Sequence, residues 1–229
     1  MDRIYTGFES LDKHLKIYKG DLVVIGGRPA IGKTCLMCSI IEKTIDKQKT
    51  LFFTMQMNKH KAIARLQFLN VKENENFYLH DNLVDYEELL LIVAEHKIKY
   101  DIDVVFIDNA VDLFNNTCCS ESETTVKLKK IAEKLNVAII IADGHKSSYK
   151  RRSCYIDLRH KSLIKYADKI ITINRLDRMA TERELKEGLV EKAVAEIIID
   201  KDMEEYYSPW INLKFDNYSL TFNEIPKTP

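Results

Sequence analysis

Apolar residues fall along this chain in short, near-continuous runs at 22–25, 51–53, 104–107, 137–142, 170–173 and 197–199. A strand with one wet face alternates apolar and polar side chains, whereas a run without alternation marks a strand buried on both faces. Between the runs the period becomes helical. Leu36, Met37, Ile40, Ile41 and Ile45 share one face of a segment over 34–45. Asp85 with Glu88 opens 86–96 in the manner of a capping box, and Leu128, Ile131, Ala132 and Leu135 form a further stripe. Strand and helix alternate, which predicts an α/β fold of βαβ units around a mostly parallel, twisted sheet flanked by helices. Near the end, 211–215 and 220–222 flank Asp216-Asn217 and predict a closing antiparallel hairpin. The charged stretch 181–192 reads as a solvated loop or exposed helix. With no internal repeat and no low-complexity linker, one domain over residues 1–229 is predicted.

Composition narrows this picture. The 229 residues carry 35 Lys+Arg against 35 Asp+Glu, a formal net charge of zero. That excludes a surface that is basic throughout, because sequence-independent nucleic-acid affinity comes mostly from neutralised phosphates; any such contact needs a local patch. The five cysteines, Cys35, Cys38, Cys118, Cys119 and Cys154, lack the paired CxxC spacing of a structural zinc site. They read as free thiols in a reducing compartment. The N-terminal stretch has no apolar targeting segment and no run reaches membrane-spanning length, so a cytoplasmic location without a membrane partner is predicted.

The sharpest chemical signal is Gly27-Arg28-Pro29-Ala30-Ile31-Gly32-Lys33-Thr34, a complete GxxxxGK[ST] between a predicted strand and a predicted helix. Its glycines let the backbone wrap phosphate, and successive N–H groups at the helix start, through Cys35, favour an anion. Lys33 is expected to reach the β- and γ-phosphates, and Thr34 to offer its hydroxyl to Mg²⁺. Val104-Val105-Phe106-Ile107-Asp108 is an apolar strand ending in a carboxylate. Asp108 is expected at the same sheet edge, holding the magnesium through water.

Seven segments, in order, resemble the RecA-like motor domain of DnaB-type replicative helicases. They are Thr6-Gly7-Phe8 with Leu11-Asp12, Lys19-Gly20-Asp21-Leu22, Arg28-Pro29, Phe53-Thr54-Met55-Gln56-Met57, residues 128–137, Asp157-Leu158-Arg159 with Ala167-Asp168, and Ala195-Glu196-Ile197-Ile198-Ile199 with Lys201. The resemblance implies an ATP-binding, Mg²⁺-dependent helicase domain acting on single-stranded DNA in replication, in a homo-hexamer or with other replication proteins. It also implies a motor domain lacking the family's N-terminal collar.

Three positions depart from the family's pattern. Its water-activating glutamate is Gln56 here, its γ-phosphate-sensing glutamine falls on Gly144, and its trans-acting arginine falls on Met203, although the companion Lys201 is kept. An amide cannot take the proton of water, and loss of a general base costs about 10²–10⁴-fold in rate. A lost arginine finger costs about 10³–10⁵-fold in related NTPases. Weakened hydrolysis is the expectation, with Asp143 or Asp112 as replacement carboxylates. The alternatives are a catalytically impaired helicase paralogue serving as an ATP-dependent binding or regulatory module, and a RecA- or KaiC-like regulatory ATPase. For DNA, the run 145–152 supplies Lys146, Lys150, Arg151 and Arg152 around Tyr149. Arg159 matches a DNA-contacting position of the family.

Overall fold

The computed structural model describes residues 2–55, 75–146, 151–203 and 209–226. Two short strands, β1 (Arg3–Ile4) and β2 (Ile17–Tyr18), pair antiparallel around α1 (Glu9–Asp12). The remaining elements build one large sheet. They are β3 (Leu22–Gly27), α2 (Lys33–Thr44), β4 (Thr50–Thr54), β5 (Phe77–His80), α3 (Tyr86–Tyr100), β6 (Val104–Asp108), α4 (Ala110–Asn116), α5 (Glu121–Leu135) and β7 (Ala138–Gly144). There follow a 3₁₀ turn at Tyr155–Asp157, α6 (Lys161–Tyr166), β8 (Lys169–Asn174) and a second 3₁₀ turn at Leu176–Arg178. The chain closes through α7 (Glu182–Lys186), β9 (Val194–Asp202), β10 (Trp210–Asp216) and β11 (Thr221–Glu224).

The strand order is β11-β10-β9-β8-β3-β7-β6-β4-β5. Strands β8, β3, β7, β6, β4 and β5 run parallel, and β9, β10 and β11 add to the β8 edge antiparallel. All residues of β3, β4, β6 and β8 are buried, which is why these segments read as unbroken apolar runs rather than alternating ones. One face packs Ile25, Phe52 and Phe106 with α2 and the terminal hairpin; the other packs Val24, Phe53 and Ile107 with α3, α4 and α5.

The expected strands, the helix over 34–45 and the closing hairpin are present, and α7 is exposed as expected for 181–192. Two details differ. Strand β5 and helix α4 had no sequence expectation, because β5 is a four-residue, half-buried edge strand and α4 is a seven-residue helix directly after β6. Asp85 accepts a hydrogen bond from Glu88 N, giving one half of the expected capping box, whereas complete boxes form at Ser120 with Glu123 and Thr181 with Glu184. Among the thiols, Cys35 and Cys38 are buried while Cys118 is exposed. No helix among the described residues is long and apolar enough to cross a membrane.

Candidate functional site

The carboxyl ends of the central strands converge on a cleft of about 490 Å³. Ligands of open α/β sheets bind in this place, outside the strand ends. Loop 27–32 runs from β3 into α2 and forms one wall. Gly32 has φ +112°, so a side chain at that turn is strained by the backbone, and a Cβ there would sit tightly, 3.1 Å from the Phe222 ring. The hairpin is anchored behind it, with Phe222 N donating to Ser39 Oγ of α2 at 3.0 Å.

Lys33 Nζ donates to the carbonyls of Gly27 and Arg28, both at 3.0 Å, which centres the ammonium on its own loop. Burial lowers the Lys33 pKa, against the opposing pull of Asp108 and Asp143. Thr34 Oγ1 donates to Asp108 Oδ2 at 2.7 Å, joining the two halves of the predicted site. A hydroxyl and a carboxylate oxygen at the end of β6 are the hard donors Mg²⁺ takes when phosphates and waters complete its shell. Asn109 accepts from Val111 N at 2.8 Å, capping α4 so that it starts at the cleft. Arg28 Nη1 reaches Arg151 O at 3.1 Å and Met179 Sδ at 2.8 Å, tying the loop to two later segments.

Of the loop residues, Pro29, Ala30, Gly32, Lys33, Thr34 and Cys35 line the cleft together with Asp108, whereas Ile31 is buried in the core beside α2. Asn109, Val111, Arg175, Arg178, Phe215 and Leu220 also line it and had no sequence signal. They come from a strand-to-helix junction, a 3₁₀ turn and the hairpin, which only the folded sheet brings together.

Asp143, expected as a replacement carboxylate, is engaged by His160. It is 0% exposed; Oδ2 accepts from His160 N at 3.1 Å and Oδ1 lies 2.8 Å from His160 Nδ1. The carboxylate joins β7 to the start of α6, a positioning role. Asp112 stands in the first turn of α4, its Oδ2 shielded and without a hydrogen-bond partner among the described residues. Gln56 lies outside the described residues. Gly144 has open space around its missing Cβ. The following residue, His145, borders the cleft while 3% exposed, with neither ring nitrogen hydrogen-bonded among the described residues. Burial lowers its pKa to about 4, so the ring is neutral at pH 7.

Lys201, expected to reach a neighbouring subunit, is instead turned inward. Its Nζ donates to Ile164 O at 3.0 Å and Ala167 O at 2.6 Å, capping the carbonyl end of α6. Met203 is 70% exposed. Lys146 is exposed, but Arg151 pairs with Glu184 at 2.8 Å and Arg152 pairs with Glu196 through two bonds of 2.7 Å while lying over the Trp210 ring. Lys150 lies outside the described residues. Arg159, expected at DNA, borders this cleft.

Comparison with known proteins fits this geometry. Residues 3–75 match the family model of the DnaB-like helicase C-terminal domain. A solved "DnaB-like replicative helicase", studied with primase, superposes with a TM-score of 0.81 at 19% identity, over 97% of this chain and 62% of that one. The fold is that of the solved DnaB-like helicase ATPase domains. A solved ATPase domain superposes on it with a TM-score of 0.84 at 20% identity, covering 97% of this chain and 91% of the other. The "Probable replicative DNA helicase" of Trieres chinensis is 26% identical over 265 residues, covering 97% of this chain. The DNA repair protein RadA of Escherichia coli (strain K12) is 26% identical over 150 residues, covering 63% of this chain. The chain spans 57% of the length of the Trieres chinensis protein and 32% of that RadA.

Proposed function

We propose that residues 1–229 form the nucleotide-dependent motor domain of a DnaB-like replicative helicase, binding Mg²⁺–ATP in the cleft, acting on single-stranded DNA and hydrolysing slowly. The observation that carries the reading is the 2.7 Å contact of Thr34 with Asp108, which brings the phosphate loop and the acidic strand end to one point. Lys33 would leave its loop carbonyls for the terminal phosphates, an exchange of neutral acceptors for charged ones. Thr34 and Asp108 would hold Mg²⁺, which supplies neutralisation of phosphate charge when bound. Phe215 and Leu220 give the cleft an apolar wall suited to a base. Slow turnover follows from Gln56 at the water-activating position, with Asp143 engaged by His160. Lys146, Lys150, Arg151 and Arg152 are the proposed contacts to single-strand phosphates, in a homo-hexamer where six weak patches add by avidity.

The test is the steady-state ATPase rate of wild type and Gln56→Glu, with and without single-stranded DNA. Expected are a slow wild-type rate that DNA raises and a Gln56→Glu rate faster by about 10²-fold. A fast wild-type rate that ignores both DNA and the substitution contradicts the proposal.

A further inference from the structure

Arginines that border the cleft differ in how they are held. Arg175 is buried and committed, with Nη2 at 2.8 Å from Asp177 and its guanidinium 4.2 Å from the Phe215 ring centre. Arg159 and Arg178 are exposed, and among the described residues neither has a carboxylate at ion-pair distance. Their backbones are nonetheless fixed. Arg159 N donates to Gly144 O at 2.8 Å, next to the fully buried Leu158. Arg178 N donates to Arg175 O at 3.2 Å, and the adjoining Met179 is held by Arg28 of the phosphate loop. Among the described residues, two guanidinium groups without a carboxylate partner thus stand on hydrogen-bonded backbone at the border of a cleft lined by Lys33 and one carboxylate, Asp108.

The β9 arm offers no comparable charge. Residues 202–208 (Asp-Met-Glu-Glu-Tyr-Tyr-Ser) contain no Lys or Arg, and Lys201 is spent on the α6 carbonyls. A triphosphate needs cations to balance it, and guanidinium groups match phosphate oxygens in geometry as well as charge.

We infer that Arg159 and Arg178 bind the phosphates of the nucleotide from within the same chain, so that the site is complete without a cation from a neighbouring subunit. This rests on the cleft being a nucleotide site. It makes Arg159 a phosphate ligand of the nucleotide rather than of DNA. It also places the arginines on two segments, the turn after β7 and the 3₁₀ turn after β8, that reach the cleft from separate strand ends.

The test is equilibrium binding of a non-hydrolysable ATP analogue and of ADP, with Mg²⁺, to the full chain. Wild type, Lys33→Ala, Arg159→Ala, Arg178→Ala, the double variant and the Arg→Lys versions are compared over a range of protein concentrations. Each Arg→Ala change is expected to weaken the triphosphate analogue about tenfold, with partial rescue by Lys and a smaller loss for ADP. Affinity is expected to be independent of protein concentration. If the double variant binds like wild type while Lys33→Ala does not bind, the arginine assignment is wrong and the nucleotide site stands. Affinity that rises with protein concentration also overturns the inference, since a neighbour would then be completing the site. If wild type binds neither nucleotide, the reading of the cleft falls first. Both arginines are exposed, so thermal melting of the variants should match wild type.

Discussion

At the cleft, Arg159 and Arg178 have no carboxylate partner among the described residues; along the basic run, Arg151 meets Glu184 and Arg152 meets Glu196. The run is the conspicuous feature in the sequence, eight residues with four cations. The cleft cations are scattered singly between 33 and 178. The contrast shows that charge density along a chain and charge available to a ligand are different quantities. Arg151 and Arg152 of the run are paired with carboxylates of later segments, while the sheet's strand ends gather Lys33, Arg159 and Arg178 around a cleft whose one lining carboxylate among the described residues is Asp108. Exposed ion pairs of this kind are worth only about 0–1 kcal/mol each, so a phosphate can compete for Arg151 or Arg152.

The largest expected effect is on the cleft side of that comparison. Asp108→Asn should weaken Mg²⁺-dependent binding of ATP by about tenfold or more while leaving metal-free binding near wild type, measured by calorimetric titration with and without the metal. Loss of both in equal measure would mean that Asp108 only supports the fold.

The next effect is acid stability, read by chemical denaturation across pH. Burial lowers His145 from 6.5 to about 4, so it favours the folded state above pH 6.5, and that support is lost as pH falls toward 4. Burial raises Asp200 from 3.8 to about 6, so it favours the folded state at low pH, and that support is lost as pH rises through 6. The two oppose each other between pH 4 and 6. His145→Gln should therefore gain stability on acidification from pH 6.5 to 4.5 relative to wild type, and Asp200→Asn should lose it more steeply, each by on the order of 2 kcal/mol. Parallel pH profiles for all three proteins would show that neither group titrates as described.

Smaller still is the run itself. Because Arg151 and Arg152 are paired, Glu184→Gln with Glu196→Gln should raise single-strand affinity by roughly threefold at low salt, and high salt should erase the gain. An unchanged affinity would remove the run from the DNA contact. Lys201→Met should lower the melting temperature by roughly 2–4 °C, the loss of about 1 kcal/mol from the α6 cap, without changing ATP affinity.

Much of this architecture was legible in the sequence, for physical reasons that particular elements show. Strands buried on both faces, such as β3 and β6, must be apolar throughout, and the phosphate loop must carry its glycines and Lys33 at fixed spacing; both requirements are local. What escaped was non-local. Lys201 is an ordinary lysine on paper and becomes a helix cap because β9 passes the end of α6. Asp143 is an ordinary strand-end carboxylate on paper and meets His160, seventeen residues away. Arg175, Arg178 and Phe215 reach the cleft only because β8 and the hairpin stand beside β3 in the sheet order.

The most direct measurement of the central claim is a calorimetric titration of the full chain with Mg²⁺–ATP, wild type against Lys33→Ala. A cleft built for triphosphate predicts saturable one-to-one binding in wild type and a loss of about 10²-fold in the variant, whose fold is retained. Equal affinity in the two proteins, or no binding to wild type, would contradict it.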